Sequence, residues 1–391
     1  MGCPNPSPIS IDKWVNEEFP YLCKVFQEVN QRSVSLNDAS KFIAFYSWRR
    51  LIEWWTLKDI EYDIRHSGTP ASELPDGGIC GAYKSNLPML ASNGSVFKLE
   101  NDGRFTVKEC TDFRLFHAYL NKEHIESVLS QRKELGFNMV RVLGTCHNMF
   151  RLYPSDFQEI YYDALIPFFN LCSKYNLYVE FTVFADATMA ISDENQQIIH
   201  WNKVGNNLSK NVIIEVNNEN DQQVNRLVSI QKLQPFSGII CSHGSNGSQA
   251  IPVRPWWNYE TWHTNDAYEW WRKVGHGAME LSDHSHVPCI ANENTRPDRD
   301  VHKNHFYDAA ASAALLCAGS CFHCEDGKYS RLFTGQNLEF AQTWIEGINS
   351  VPLEFQDGMY IRRDDLLESS LLRVYEKRLS DGRGHIVKIR N

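Results

Sequence analysis

Between about residues 105 and 345 the sequence alternates short apolar runs with longer amphipathic ones, and no other feature restricts the fold as tightly. Parallel strands cannot be joined by hairpins, so a strand–helix–strand rhythm predicts a parallel sheet covered by crossover helices. The apolar runs fall at 112–116, 138–143, 177–184, 212–216, 238–242, 259–263, 287–291 and 320–323. Helices are predicted between most of them, at 125–135, 161–175, 222–231, 267–281 and 306–318. Eight such units over roughly 240 residues have the size and rhythm of an α/β fold of the (β/α)8 TIM-barrel type. A doubly wound sheet is the alternative, but no Gly-rich turn of the G-x-G-x-x-G or G-x-x-x-x-G-K type follows the first strand.

The flanks read differently. Lys41 to Trp55 carries apolar residues on a broad face without a breaker, so the N-terminal region is predicted helical. Ser67 to Gly78 is rich in Gly, Pro and Ser and marks a linker. Ser95 to Val107 is a β-rich lead-in, and after Val351 the chain reads as strands joined by a Gly turn. The expected organisation is a helical region and linker over 1–80, a barrel over 81–350 and a small β-rich tail over 351–391.

Charge and composition exclude several functions. With 39 Lys+Arg against 48 Asp+Glu the net charge is -9, which lacks the basic footprint of a nucleic-acid or anionic-membrane binder. No apolar run approaches a membrane span, and Met1-Gly-Cys-Pro-Asn-Pro6 has neither a basic nor an apolar leader region and lacks the myristoylation pattern. The 11 cysteines are an odd, irregularly spaced set, several inside apolar runs, as expected for reduced thiols. Synthesis in a reducing compartment is the expectation, with release by lysis or carriage on a virus particle left open.

In a barrel of this kind the site lies at the C-terminal ends of the strands, so polar residues that end apolar runs are the candidates. They are Arg141, Asp186, the Asn217–Asp221 cluster, His243, His263, the Asn292-Glu293-Asn294 cluster, and His323 with Glu325 and Asp326. Two clusters hold a Glu flanked by Asn, at about the separation of strands four and seven.

Asn211-Val-Ile-Ile-Glu-Val-Asn-Asn-Glu-Asn220 resembles the fourth-strand motif of clan A glycoside hydrolases, the group that includes cellulases and mannanases. The resemblance implies that Glu219 is the general acid/base and that Asn218 binds the sugar 2-hydroxyl. Val287-Pro-Cys-Ile-Ala-Asn-Glu293 is similar in form to the seventh strand and implies Glu293 as nucleophile. Gly136-Phe-Asn-Met-Val-Arg141 resembles the second-strand motif whose Arg orients that nucleophile, and His263 stands where the clan has a Tyr or His touching it. The resemblance covers roughly 105 to 345. Asn220 replaces a common Pro, and Phe322-His323 stands where the clan often has Trp.

The residue types agree with that chemistry, because hydrolysis of a glycosidic bond needs one carboxylic acid to protonate the leaving oxygen and one carboxylate to attack. For retention, nearby negative charge keeps Glu219 protonated while Arg141 keeps Glu293 ionised. Trp256 and Trp257 are candidates to stack on sugar rings, and His147 and His323 to line the cleft. Rival readings stand beside these. Glu215 lies deeper in the same strand, where a structural ion pair is expected, and Glu260 is an alternative nucleophile. Cys317, Cys321 and Cys324 have the spacing of a radical SAM cluster, but run from a late helix into the last strand. No cofactor or metal is predicted, and no H-E-x-x-H signature is present. The partner expected is a mannan- or glucan-like polysaccharide or oligosaccharide. A non-catalytic carbohydrate-binding barrel of a virus particle or surface complex is the different-class alternative.

Overall fold

The computed structural model describes residues 13–30, 87–100, 103–219, 232–236, 238–244, 258–264, 269–352, 359–362, 372–378 and 384–390. The chain divides into two compact units, Met1–Tyr83 and Lys84–Asn391. In the first, a π-helical turn, Trp14–Glu18, runs into α1 (Phe19–Asn30). Leu22, Val25 and Phe26 are buried at helical spacing, so α1 is amphipathic. The helical reading of 41–55 and the linker at 67–78 lie outside the described residues.

The second unit opens with an antiparallel trio, β1 (Leu90–Asn93), β2 (Val96–Leu99) and β3 (Arg104–Phe105). It continues through β4 (Val107–Thr111), α2 (Leu115–Leu120), α3 (Glu126–Leu135), β5 (Met139–Leu143), α4 (Pro154–Phe157), α5 (Glu159–Asp163), α6 (Leu165–Lys174) and β6 (Tyr178–Phe184). Next come α7 (Ala187–Ala190), α8 (Glu194–Gly205), β7 (Val212–Asn217), β8 (Cys241–Ser242), β9 (Glu260–His263), α9 (Trp270–Ser285) and β10 (Cys289–Glu293). Last are α10 (Lys303–Leu316), β11 (Gly319–Phe322), α11 (Glu325–Lys328), α12 (Gly335–Asn349), β12 (Met359–Arg362), β13 (Leu372–Arg378) and β14 (Gly384–Arg390).

β4 to β11 form one parallel sheet in the order β8-β7-β6-β5-β4-β11-β10-β9. The Asn258 N–H, two residues before β9, donates to Cys241 O of β8 at 2.9 Å and joins the two ends. The fold is a (β/α)8 barrel. Its floor is a layer of side chains from the strand starts, including Val107, Met139, Tyr178, Ile213, Tyr259 and Ile290, plugged by Leu90, Phe97 and Phe105 of the preceding trio. Phe97 meets Tyr259 edge-on at 5.7 Å and Phe105 meets Tyr178 at 4.8 Å. Closing the bottom in this way leaves the upper, C-terminal end as the place for a cleft.

One expected strand is corrected. The run at 112–116 is not the first strand: that is β4, five residues earlier, and Leu115–Leu120 is helical. Val107-Lys-Glu-Cys-Thr looks too polar for a buried strand, whereas Leu115, Phe116, Ala118 and Leu120 are all buried by a helix packing on the barrel wall. Asp112 ends β4 because its carboxylate accepts two hydrogen bonds from Arg132, at 2.9 and 3.0 Å, inside the protein. The predicted 161–175 helix is two helices meeting at Ala164, and α8 and α12 were not anticipated. The predicted helix at 222–231 lies outside the described residues. The alanine-rich α10 packs against both α9 and α12, where small side chains permit close approach. The tail is a three-stranded antiparallel sheet, with β14 beside α10.

Candidate active site

Arg141 organises the upper barrel. It points inward from β5 and is fully buried. Its Nη1 donates to Glu293 Oε2 at 2.7 Å, and its Nη2 donates to both Asn218 Oδ1 and Glu215 Oε2 at 2.7 Å. Nε donates to Glu215 Oε2 at 3.0 Å and lies 3.6 Å from Glu180 Oε2. Thr182 Oγ1 also donates to Glu215. One guanidinium therefore ties β5, β6, β7 and β10 together, which a planar fork with five donors is built to do.

Strand parity explains the gathering. Alternate residues of a barrel strand face inward, so Tyr178, Glu180 and Thr182 of β6 share the interior with Ile213, Glu215 and Asn217 of β7. Glu219 follows β7 in a left-handed conformation, φ +46, uncommon for a non-glycine residue and held only where the surroundings dictate it. Asn218, just before it, donates its N–H to Phe184 O at 2.9 Å. Gly244 makes this turn possible, because with φ +76 a Cβ there would lie 1.6 Å from Asn217 O. Gly244→Ala is expected to cost about 2 kcal/mol or more and to displace Glu219. A denaturation midpoint equal to that of the parent chain would contradict this.

His263, at the end of β9, sits between the two candidate carboxylates, its Nδ1 3.8 Å from Glu219 Oε1 and 4.0 Å from Glu293 Oε2. Those two carboxylates are 14% and 15% exposed, whereas the side chains of Glu180 and Glu215 are fully shielded, so only the former pair opens toward a ligand. Burial alone raises a carboxyl pKa, but the charges of His263 and Arg141, with His323, outweigh it and hold Glu293 at about 2. Burial lowers the His263 pKa, and the nearby carboxylate of Glu219 and the charge of Glu293 overcome that and raise it. His323 is held at about 4 by burial, so it is neutral at pH 7, with Nδ1 2.8 Å from Thr111 Oγ1.

The structure thus brings Arg141, Asn218, Glu219, His263 and Glu293 together, with His323 near Glu293. His147 stands apart on the loop after β5, its ring against Tyr153 Oη and its N–H donating to Asp186 Oδ2 at 2.8 Å. Asp186 also accepts from the N–H and side-chain amide of Asn148 and so fixes that loop. Trp256 and Trp257 lie outside the described residues. Glu215 has the structural ion pair expected of it. Glu260 has the opposite parity to Tyr259 and His263, which face the interior, and burial pushes its carboxyl to about 7. Cys317, Cys321 and Cys324 have different neighbours, Ala313 O, Thr111 Oγ1 and Gly327 N respectively, so their sulfurs are not gathered. Among the described residues no group of His, Cys, Asp and Glu is placed to hold a metal ion.

Sequence reasoning missed Glu109, Glu180 and Tyr259, and Asn292 was found without a role. Glu180 was legible as the inward charged position of an otherwise apolar strand. Glu109 was hidden by the displaced first strand.

A (β/α)8 barrel whose upper end holds an Arg-clamped carboxylate, a second carboxylate and a His between them is the class of protein defined here. No protein-family model matches the chain, and no curated protein matches it. Solved structures share its fold. A glycoside hydrolase family 5 protein from Bacteroides vulgatus ATCC 8482 aligns with TM-score 0.55 and 12% identity over 75% of this chain and 80% of that one. A β-glucanase from Saccharophagus degradans, solved with cellotetraose, aligns with TM-score 0.50 and 11% identity over 71% and 99%. A variant of a glycoside hydrolase family 5 mannosidase from Rhizomucor miehei aligns with TM-score 0.50 and 9% identity over 69% and 100%. These glycoside hydrolases share the (β/α)8 barrel fold with this chain.

Proposed function

We propose that the protein is a retaining glycoside hydrolase that cleaves β-glycosidic bonds of a mannan- or glucan-like polysaccharide or oligosaccharide. The observation that carries this reading is the 2.7 Å contact of Arg141 with Glu293, which keeps that carboxylate ionised beside Glu219 at the open end of the barrel. Glu293 attacks the anomeric carbon and Glu219 protonates the departing oxygen, forming a covalent glycosyl-enzyme. Having given its proton to the leaving group, Glu219 is a carboxylate and takes a proton from the incoming water. Water then displaces Glu293 and retention results. With its Oδ1 bound to Arg141, Asn218 keeps its donor end for a sugar hydroxyl. The substrate class draws on the glucanase and mannosidase that share the fold.

Reducing-end release from β-mannans, β-glucans, xylan, galactan and chitosan tests the reading. Release from a mannan or glucan, with the anomeric configuration retained by NMR, is the expected result. Silence on the whole panel with glycan binding intact would replace it with a binding barrel.

A further inference from the structure

The Asn292-Glu293-Asn294 cluster breaks the alternation of its own strand. Along β10, Ile290 faces the interior in the floor layer, and Ala291 lies beside Trp262, whose ring packs outward against Gly277 of α9. Asn292 faces inward again, its Nδ2 donating to Glu180 Oε2 of β6 and to Glu215 Oε1 of β7, both at 3.0 Å. Strict alternation would then turn Glu293 outward, toward the helices and away from Arg141. Instead Glu293 Oε2 accepts from Arg141 Nη1 at 2.7 Å, so two successive side chains enter the barrel.

The register of β10 against β9 shows how this happens. Cys289, Ile290 and Ala291 lie opposite Glu260, Thr261 and Trp262, but His263 lies opposite Glu293, so Asn292 is an extra residue without a counterpart. That is a β-bulge, uncommon between parallel strands, and a bulge re-aims side chains at the cost of local ladder hydrogen bonds. Other groups must therefore fasten it. Arg141 Nη1 also donates to Asn292 O, at 3.5 Å. The fully buried Asn292 amide ties the bulge to β6 and β7, and it meets two carboxylates through Nδ2, the end that can donate. Beyond Glu293, the buried Asn294 donates to Ala291 O at 3.1 Å and to Cys321 O of β11 at 3.0 Å, and accepts from Thr264 Oγ1 at 3.1 Å. The Thr264 N–H donates to Glu293 O at 3.0 Å.

Resting on the reading of Glu293 as nucleophile, we infer that Asn292 and Asn294 are positioning residues: they fasten a bulge at Asn292 that turns Glu293 into the cleft and against Arg141. Asn292 holds the bulge from inside the barrel, and Asn294 holds it from the strand on either side of β10. Removing either amide lets the strand relax toward regular alternation, which carries the Glu293 carboxylate away from the guanidinium. Glu293 faces Arg141, His263 and His323, and Arg141 is the cation in direct contact, so losing it makes the carboxyl easier to protonate.

The test uses the full chain carrying isotope-labelled glutamate, with the Glu293 side-chain NMR signal assigned by its loss from Glu293→Gln. In the parent that signal should show no titration step above about pH 4; in Asn292→Ala and in Asn294→Ala a step should appear at about pH 4 to 5, the ordinary glutamate range. A variant that is merely less stable would leave the signal as in the parent, and that result in either variant would overturn the role of the asparagine replaced. On a glycoside that the parent hydrolyses, each variant should lower kcat about tenfold or more with KM within about threefold, and the acid limb of kcat/KM should move to higher pH. Unchanged kcat in both would overturn the proposal. If the parent hydrolyses no glycoside, the hydrolase reading fails, while the NMR titration still decides what holds Glu293.

Discussion

Replacing Glu293 with Gln is expected to lower turnover by about four orders of magnitude while glycan affinity changes by less than about threefold. The amide is nearly isosteric and can still meet Arg141 Nη1 through its oxygen, so the cleft keeps its shape. What disappears is the proposed nucleophile, and with it the covalent intermediate of the proposed mechanism. The variant also makes a pH prediction. Glu293 has a folded pKa of about 2, below its unfolded value, so its contribution to stability is present above roughly pH 5 and is lost as pH falls toward 2. Glu293→Gln should be less stable than the parent at pH 7, and the difference should shrink on acidification. Turnover within tenfold of the parent would remove Glu293 from the mechanism and leave the buried Glu260 as the next carboxyl to change.

Arg141→Met is expected to destabilise the fold by about 3 to 5 kcal/mol, the largest stability effect of any single change at this site. The methionine fills the space of the side-chain stem, but Glu215, Glu180 and Glu293 all lose the cation they face. An uncompensated buried carboxylate costs far more than its ion pair contributes net, so the penalty comes from the partners left behind. Protonation relieves it, and the deficit should therefore be smaller at pH 4 than at pH 7. Adding Glu215→Gln to Arg141→Met should recover part of the loss, because that carboxylate accepts two of the guanidinium's hydrogen bonds. A shift below about 1 kcal/mol on chemical denaturation would mean that water or local rearrangement already satisfies these carboxylates.

The barrel was readable because helix and strand periodicities are local properties of the chain, and the strands bearing Arg141, Asn218, Glu219 and Glu293 have apolar runs that end in polar residues. β4 was misplaced for an equally physical reason. Its interior face carries Glu109, a fully buried acid, so the run lacks the apolar signature of a buried strand.

The same division runs through the site. Residue order and spacing were enough to assign the fold class, the strand-end carboxylates and the arginine beside them, since each depends on the residue pattern along one strand. They could not show that His147 belongs with Tyr153 and Asp186 rather than with the carboxylates, that Glu260 faces away from the interior, or that one guanidinium serves three acids. Closing the sheet decided those points. Barrel closure brings side chains from strands far apart in sequence within 3 Å of one another and removes water, and charge pairing of the kind Arg141 makes depends on that shielded proximity.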